Sequence, residues 1–144
     1  DNALQEGSIR LSITAIKTGL ATNLATISGL RTSAEVPDNP NPPQAVIQLQ
    51  SVNYDGAFKQ GLTTYNFLVS VIVGRVDERN AQKNLDAYAS SSGSKSIKLA
   101  VQSDKSLSGT AFDVRVTDMT NIGTVLLSDA TYLAADFVVT VYAN

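Results

Sequence analysis

Two short strings in this sequence match parts of the motif set of serine acyl-enzymes. Ser92-Gly93-Ser94-Lys95 fits the pattern S-x-x-K, and Lys17-Thr18-Gly19 fits K-T-G. In such enzymes the serine attacks a carbonyl carbon while a neighbouring group takes its proton. Here the two strings occur in the reverse order, the K-T-G string falls within a predicted helix, and no S-D-N string follows. The strings therefore do not predict a serine acyl-enzyme.

Two other polar clusters have a simpler explanation than chemistry. Asp77 and Glu78 are interpreted as the start of a helix, where Asp77 caps the free N–H groups and Glu78 favours the positive end. Asp38, Asn39 and Asn41 offer oxygen ligands, yet no spaced calcium-loop pattern surrounds them. Neither cluster predicts a metal site or a proton-transfer site.

The composition removes the residues on which most enzymes depend. Histidine, cysteine and tryptophan are absent. The chain therefore has no imidazole base, no thiolate nucleophile, no disulfide and no zinc site of the usual nitrogen and sulfur ligands. We expect a protein that is not an enzyme and that uses neither a cofactor nor a metal.

The charge content favours an assembly subunit over a nucleic-acid-binding protein. Charged residues make up 17% of the chain, against an average of about 25% in soluble domains. Interface cores are depleted in charge, so a subunit of an assembly fits this composition, although secreted polar domains share it. The formal net charge of −2 argues against tight binding of nucleic acid, which depends on clustered Lys and Arg.

The length and the hydropathy predict one domain without a membrane span. A chain of 144 residues, 43% of them hydrophobic, is expected to form a single domain over residues 1–144. Its most apolar stretch, residues 62–73, is shorter than the roughly 20 residues that a spanning helix needs. The first residues, which include Gln5, Glu6 and Arg10, lack the basic start and apolar middle of a signal peptide.

The first predicted element is a long amphipathic helix over residues 4–27, ended by Gly29. Its apolar side chains recur at spacings of three and four, at Ile9, Ile13, Ile16, Leu20, Leu24 and Ile27. Threonines fall on the opposite face, at Thr14, Thr18, Thr22 and Thr26. That face is either a solvated polar surface or a small-residue surface that packs against a neighbouring subunit.

Strands separated by a stiff loop and a hairpin tip follow this helix. Residues 30–36 predict a short strand, and residues 36–43 hold all four prolines, which predicts an extended internal loop. Residues 45–52 and 64–75 predict a hairpin whose protruding tip, residues 53–61, contains the turn signal Asp-Gly. The tip either exposes its aromatic residues as a binding surface or folds back onto the sheet.

The second strand of this hairpin is predicted to be central in the sheet and covered on both sides. One face carries apolar residues in strict alternation, and the other face adds Leu68 and Ile72. The alternating residues are Tyr65, Phe67, Val69, Val71 and Val73.

Two short helices and three strands complete the predicted domain. Asp77 and Ser94 are expected to cap the helices, with inward faces formed by Ala81, Leu85, Tyr88, Ile97, Ala100 and Val101. The strands are predicted at residues 112–117, 125–128 and 132–142, with Phe112, Val114 and Val116 on the buried face of the first. The order α-β-β-β-α-α-β-β-β predicts an α+β domain with helices on one side of a largely antiparallel sheet.

Several strings resemble those of tail terminator proteins from non-contractile-tailed, siphovirus-type phages of actinobacteria. Together they span most of the chain, and none of them has catalytic content. The last hairpin departs from the family, because Ser128-Asp129-Ala130-Thr131 stands where the family has glycines. The strings are Asn23-Leu24-Ala25-Thr26-Ile27-Ser28-Gly29-Leu30-Arg31, Val36-Pro37-Asp38-Asn39-Pro40-Asn41-Pro42-Pro43, Tyr54-Asp55-Gly56-Ala57-Phe58 with Gly61-Leu62 and Tyr65, Val73-Gly74-Arg75-Val76-Asp77-Glu78-Arg79, Leu85-Asp86-Ala87-Tyr88, and Lys95-Ser96-Ile97-Lys98.

This resemblance implies a structural virion protein of the tail and neck that assembles in the host cytoplasm. It would form a ring, a hexamer in the family, that caps the head-proximal end of the tail tube and stops its polymerisation. The implied partners are further copies of the chain, the major tail tube protein and a head–tail connector or stopper protein, while genomic DNA passes through the lumen without specific binding. The expected contact residues lie on the helix, the proline loop and the hairpin tip: Thr14, Thr18, Thr22, Pro37, Asp38, Pro40, Pro42, Tyr54, Asp55, Phe58 and Lys59.

Three other functions remain open at this point. Another neck ring, such as a head-closure or connector protein, overlaps in size and fold and differs only in its location on the particle. A secreted adhesin or carbohydrate-binding module fits the surface rich in Ser and Thr, but the missing signal, disulfides and tryptophan argue against it. A small enzyme would need a carboxylate or lysine mechanism that the sequence does not reveal.

Overall fold

The computed structural model describes residues 13–33, 41–54, 63–77, 79–107, 109, 111–127 and 129–143. This part of the chain forms one five-stranded sheet and three helices. The helices are α1 (Ile13–Leu24), α2 (Ala81–Ala89) and α3 (Ile97–Val101). The strands are β1 (Arg31–Ser33), β2 (Gln44–Asn53), β3 (Thr63–Arg75), β4 (Asp113–Leu127) and β5 (Ala130–Ala143), in the spatial order β1-β2-β3-β5-β4. β1 pairs with β2 in parallel, and the other pairs are antiparallel.

One face of the sheet carries the hydrophobic core. The alternating side chains of β3, from Tyr65 to Val73, are buried as predicted. They form one cluster with Leu20 of α1, Leu85 of α2 and Ile97 of α3. Because successive side chains of a strand point to opposite faces, helices that share this cluster pack on the same side of the sheet. The predicted α+β class, with helices on one side of a largely antiparallel sheet, is confirmed.

The opposite face of the sheet is covered only in part. Val46 and Ile72 are buried there, in a region that the far end of β4 also lines. Leu68 and Ser70 are only half-buried. The central place of β3 is therefore confirmed. Of the two residues predicted on its second side, Ile72 is buried and Leu68 is half-buried, so the cover on that side is partial.

The closing strands differ from the prediction in number. Residues 112–117 and 125–128 do not form separate strands, because β4 runs without a break from Asp113 to Leu127. Irregularities between Val116 and Asp118 and between Thr120 and Gly123 bend the strand, which lets it continue through polar residues. Phe112 lies before β4 and is 63% exposed, so its predicted burial is wrong. The observed order is α-β-β-β-α-α-β-β.

The helix ends also differ in detail from the sequence prediction. The described part of the first helix ends at Leu24, three residues earlier than expected, and Gly29 with φ +85° lies in the turn that follows. Asn80, not Asp77, is the N-cap residue of α2, while Asp77 lies 3.8 Å from Arg75 in an exposed ion pair. Ser96, not Ser94, caps α3, because its Oγ accepts a hydrogen bond from the Leu99 N–H at 3.2 Å.

The inward faces predicted for α2 and α3 are confirmed. All six of the named side chains are buried, at 5% exposure or less. The predicted start of the first helix, residues 4–12, lies outside the described residues.

Gly19 allows α1 to approach the loop after α3 closely. A Cβ at this position would lie 2.7 Å from Leu107 Cβ and 2.9 Å from the Leu107 carbonyl oxygen, and Leu107 itself has φ +48°. The glycine of the K-T-G string is therefore required for packing.

We predict that Gly19→Ala lowers the free energy of unfolding by about 1–2 kcal/mol. The overpacking cost of about 1–3 kcal/mol exceeds the helix-propensity gain of up to about 1 kcal/mol, because a backbone carbonyl cannot move aside cheaply. Urea unfolding measures the change. Thr22→Ala on the exposed face of α1 is the control and should stay within about 0.5 kcal/mol. Equal stability of Gly19→Ala and the wild type would contradict the close approach.

Tyr88 makes the stability of the fold sensitive to alkaline pH. Burial raises the pKa of its phenol from the ordinary value of 10.0. In the unfolded chain this group loses its proton near pH 10, before the folded protein does, so the contribution to stability is complete below about pH 10 and is lost above it. We predict that Tyr88→Phe retains more of its stability between about pH 8 and pH 11 than the wild type. Urea unfolding at both pH values measures this, and an equal loss in the two proteins would contradict it.

Candidate interaction surfaces

The threonine face of α1 is exposed, as the sequence predicts. Thr14, Thr18 and Thr22 are all exposed. The hydroxyls of Thr18 and Thr22 donate to the carbonyl oxygens of Thr14 and Thr18, each at 3.0 Å. Because these hydroxyls are satisfied within the helix, the face can meet another surface without leaving them unpaired. Its role as a contact surface stays a prediction.

This helix face forms one wall of a groove at the β1 edge of the sheet. The groove has a volume of about 400 Å³, and β1 contributes the other wall through Thr32 and Ser33. Ile47, which is 2% exposed, and Ala21 give it an apolar base. The side chain of Lys17 also lines it. We call this the α1–β1 groove; it combines an apolar base with one positive charge.

Asn23 fixes the position of α1 and therefore the shape of this groove. The side chain is 4% exposed, and its Nδ2 donates to the carbonyl oxygens of Val101 at 2.8 Å and of Asp104 at 3.0 Å. Both acceptors lie at or just after the end of α3, where backbone carbonyls lack partners within the helix. The Asn23 amide thus joins α1 to the C-terminal end of α3.

The far half of the β4–β5 hairpin forms a second exposed surface, at the opposite edge of the sheet. Ile122 is 58% exposed and Leu126 69% exposed. Val76 is 48% exposed and lies close to them. Its N–H donates to the carbonyl oxygen of Thr131 on β5, and Thr131 pairs with Leu126 on β4. These three residues form an exposed apolar row. Sequence reasoning missed this surface, because residues 125–127 are three consecutive apolar residues and could equally be a buried strand.

A carboxylate holds the bent part of β4 against the sheet. Asp136 Oδ1 accepts from Ser70 Oγ at 2.7 Å, and its Oδ2 accepts from Asn121 Nδ2 at 2.9 Å. Asn121 has φ +52°, a conformation that asparagine tolerates better than most residues. These groups line a second groove of about 350 Å³ on the back face, which Val46 and Ile72 also line. The arrangement stabilises the irregular segment.

The proline loop and the hairpin tip lie largely outside the described residues. This holds for Pro37, Asp38, Pro40, Asp55, Phe58 and Lys59. Pro42 is half-buried just before β2, and Tyr54 is 74% exposed at the end of β2. Tyr65, which follows the tip on β3, is in the core. The described end of the loop is held by two hydrogen bonds of the Asn41 backbone. The Asn41 carbonyl oxygen accepts from the Arg31 guanidinium at 3.3 Å, and the Asn41 N–H donates to Gln44 Oε1 at 3.1 Å.

The strings that suggested chemistry take up separate places in the fold. Ser92, Ser94 and Lys95 are exposed in the connection between α2 and α3, whereas Lys17 lies on α1. Within the described ranges no group of three or more acidic residues could hold a metal ion. No helix in that part of the chain is long and apolar enough to cross a membrane.

Comparison with known proteins assigns no family to this chain. No protein-family model matches it, and no curated protein sequence matches it.

We predict that Asn23→Ala lowers the free energy of unfolding by about 2–3 kcal/mol. The substitution removes two hydrogen bonds and leaves carbonyl oxygens of the α3 end without their partner. Asn84→Ala at a half-buried position of α2 is the matched control and should change stability by about 0.5 kcal/mol or less. Urea unfolding of both variants checks this, and similar values for the two would contradict the role of Asn23 in holding α1.

Proposed function

We propose that this chain is a phage tail terminator, a structural virion protein that forms a closed ring on the head-proximal end of a tail tube. The ring would stop polymerisation of the tube and offer a surface to the head–tail connector. The sequence strings that resemble this family support the proposal, and so does the α+β fold. The family resemblance favours a hexamer.

The observation that carries the ring is the presence of two unlike surfaces at opposite edges of one sheet. The α1–β1 groove lies at the β1 edge, and the exposed row with Ile122 and Leu126 lies at the β4 edge. A two-fold dimer buries the same patch on both subunits, whereas a ring needs two different patches that meet head to tail. Two unlike edges are what a ring subunit requires.

The charge distribution supports assembly by surface complementarity. The described residues form two ion pairs, Arg75–Asp77 and Arg115–Asp113, and the whole chain is 17% charged. A surface with few charges loses little solvation when it is buried between subunits. A mildly acidic ring would also let DNA pass without adhering, because like charges repel.

The proposal predicts that the purified protein caps tail tubes at one end. Negative-stain electron microscopy of the protein alone and mixed with its tail tubes, with and without Mg²⁺, would show rings or density confined to one tube end. Thr18→Trp should block ring formation and leave the fold intact, because a bulky side chain would fill the α1–β1 groove. Ser92→Trp, in the exposed connection between α2 and α3, is the matched control and should still form rings.

Two results would count against a terminator. A chain that forms no ring and leaves both tube ends bare contradicts the proposal. Binding only to the connector side of isolated heads would instead identify another ring of the neck. Rings that survive Thr18→Trp would remove the threonine face from the contact surface and leave the proposed function standing.

A further inference from the structure

Residues 118–120 of β4 pair with β5 on one side, and the segment 118–122 has no strand partner on the other side among the described residues. β4 is an edge strand, and Ile122 on it is 58% exposed. Asp118, four residues earlier, is exposed and forms no ion pair within the described part of the chain. Lys98 lines the same hollow as Asp118, but its Nζ donates to Gln102 Oε1 at 2.9 Å. The segment therefore offers an exposed apolar side chain and, four residues away, an exposed carboxylate that forms no ion pair within the described part of the chain.

The α1–β1 groove offers the complementary features at the other edge. Ile47 and Ala21 give it an apolar base, and Lys17 supplies a positive charge. Within the described residues Lys17 forms no ion pair either. An isoleucine side chain fits such a base, and a carboxylate beside Lys17 would match its charge.

One chain cannot bring these two surfaces together by itself. They lie at opposite edges of a five-stranded sheet, and strands about 4.8 Å apart put the edges about 19 Å from each other. Two copies side by side, in the same orientation, can do so. The occupant that matches the groove is therefore a second copy of this chain.

The strand register places the two surfaces at the same height on the sheet. Ser33 of β1 pairs with Val46, Val46 with Ser70, Ser70 with Asp136, and Asp136 with Thr120 of β4. Ile122 and Asp118 flank Thr120 along β4. In two copies placed side by side, the groove of one would face this segment of the other.

The irregular backbone of β4 favours side-chain docking over addition of a strand. The ladder is interrupted on both sides of residues 118–120, and Asn121 has φ +52°. Bulges of this kind twist a strand edge away from regular pairing with another strand.

From these observations we infer that Ile122 and Asp118 of one subunit dock in the α1–β1 groove of the next, with Ile122 against Ala21 and with Asp118 opposite Lys17. This inference rests on the proposed ring and names its subunit contact. The same head-to-tail contact repeats around the ring until it closes.

Charge reversal on each side of the contact tests this inference. Lys17→Asp alone and Asp118→Lys alone each place like charges in every contact, and each should weaken self-association by about tenfold or more. An equimolar mixture should recover it, because every contact between the two different variants then joins opposite charges, whichever of them supplies the groove. The recovered ring alternates the two variants and needs an even number of subunits, which a hexamer has.

Sedimentation velocity over a range of concentrations measures the association, and circular dichroism melting confirms that each variant is folded. Lys83→Asp and Asp86→Lys make the same charge changes at exposed positions of α2 and should associate like the wild type. Ile122→Ser should weaken association in a way that mixing does not recover. Asp118→Asn gives a milder change if Asp118→Lys does not fold.

The outcomes separate this contact from the proposed function. Rings that form equally well from both charge variants overturn the contact and leave the terminator proposal intact. A wild-type chain that stays monomeric at every attainable concentration also overturns the contact, whereas tube capping remains the test of the function. Weakening in the single variants without recovery in the mixture would overturn the contact too, because it would show that residues 17 and 118 do not face each other between subunits.

Discussion

The buried amide of Asn23 is the interaction on which the arrangement of the helices depends. It joins α1 to the end of α3 through two backbone carbonyl oxygens. Next to it, Gly19 lets α1 approach Leu107 within a distance that no side chain would allow. These two contacts determine where α1 lies over the β1 edge, and so they also determine the depth of the α1–β1 groove. A small displacement of α1 would close the groove or expose the core.

The sheet is asymmetric, and this asymmetry gives the protein its surfaces. The helices cover one face, where the side chains of β3 from Tyr65 to Val73 are packed. At one edge, three-residue β1 leaves room for a groove beside α1. At the other edge, β4 is long and irregular, and Asp136 holds its bend through Ser70 and Asn121. A subunit with two unlike edges can repeat in a closed ring, since each contact uses a different patch on either side.

The proposed function requires shape and charge in place of reactive groups, and the residue types agree with this. With neither histidine nor cysteine, the chain lacks the side chains most often used as base and nucleophile. Its exposed apolar residues, Ile122 and Leu126 among them, are typical of surfaces that become buried on assembly. A ring that meets a tube, a connector and its own copies needs several such surfaces on one small domain.

The sequence by itself determined the α+β class, the buried faces of the helices, the alternation on β3 and the exposure of the threonine face, because each depends on local periodicity. It could not determine that residues 113–127 form one strand, since bulges let polar residues continue a ladder that propensity alone would end. Nor could it reveal that Asn23 donates to Val101 and Asp104, which lie 78 and 81 positions further along the chain. It also could not show that Ile122 lies at the same height on the sheet as the α1–β1 groove. Those depend on strand order and register, which only the tertiary structure decides because they join segments that are distant in the chain.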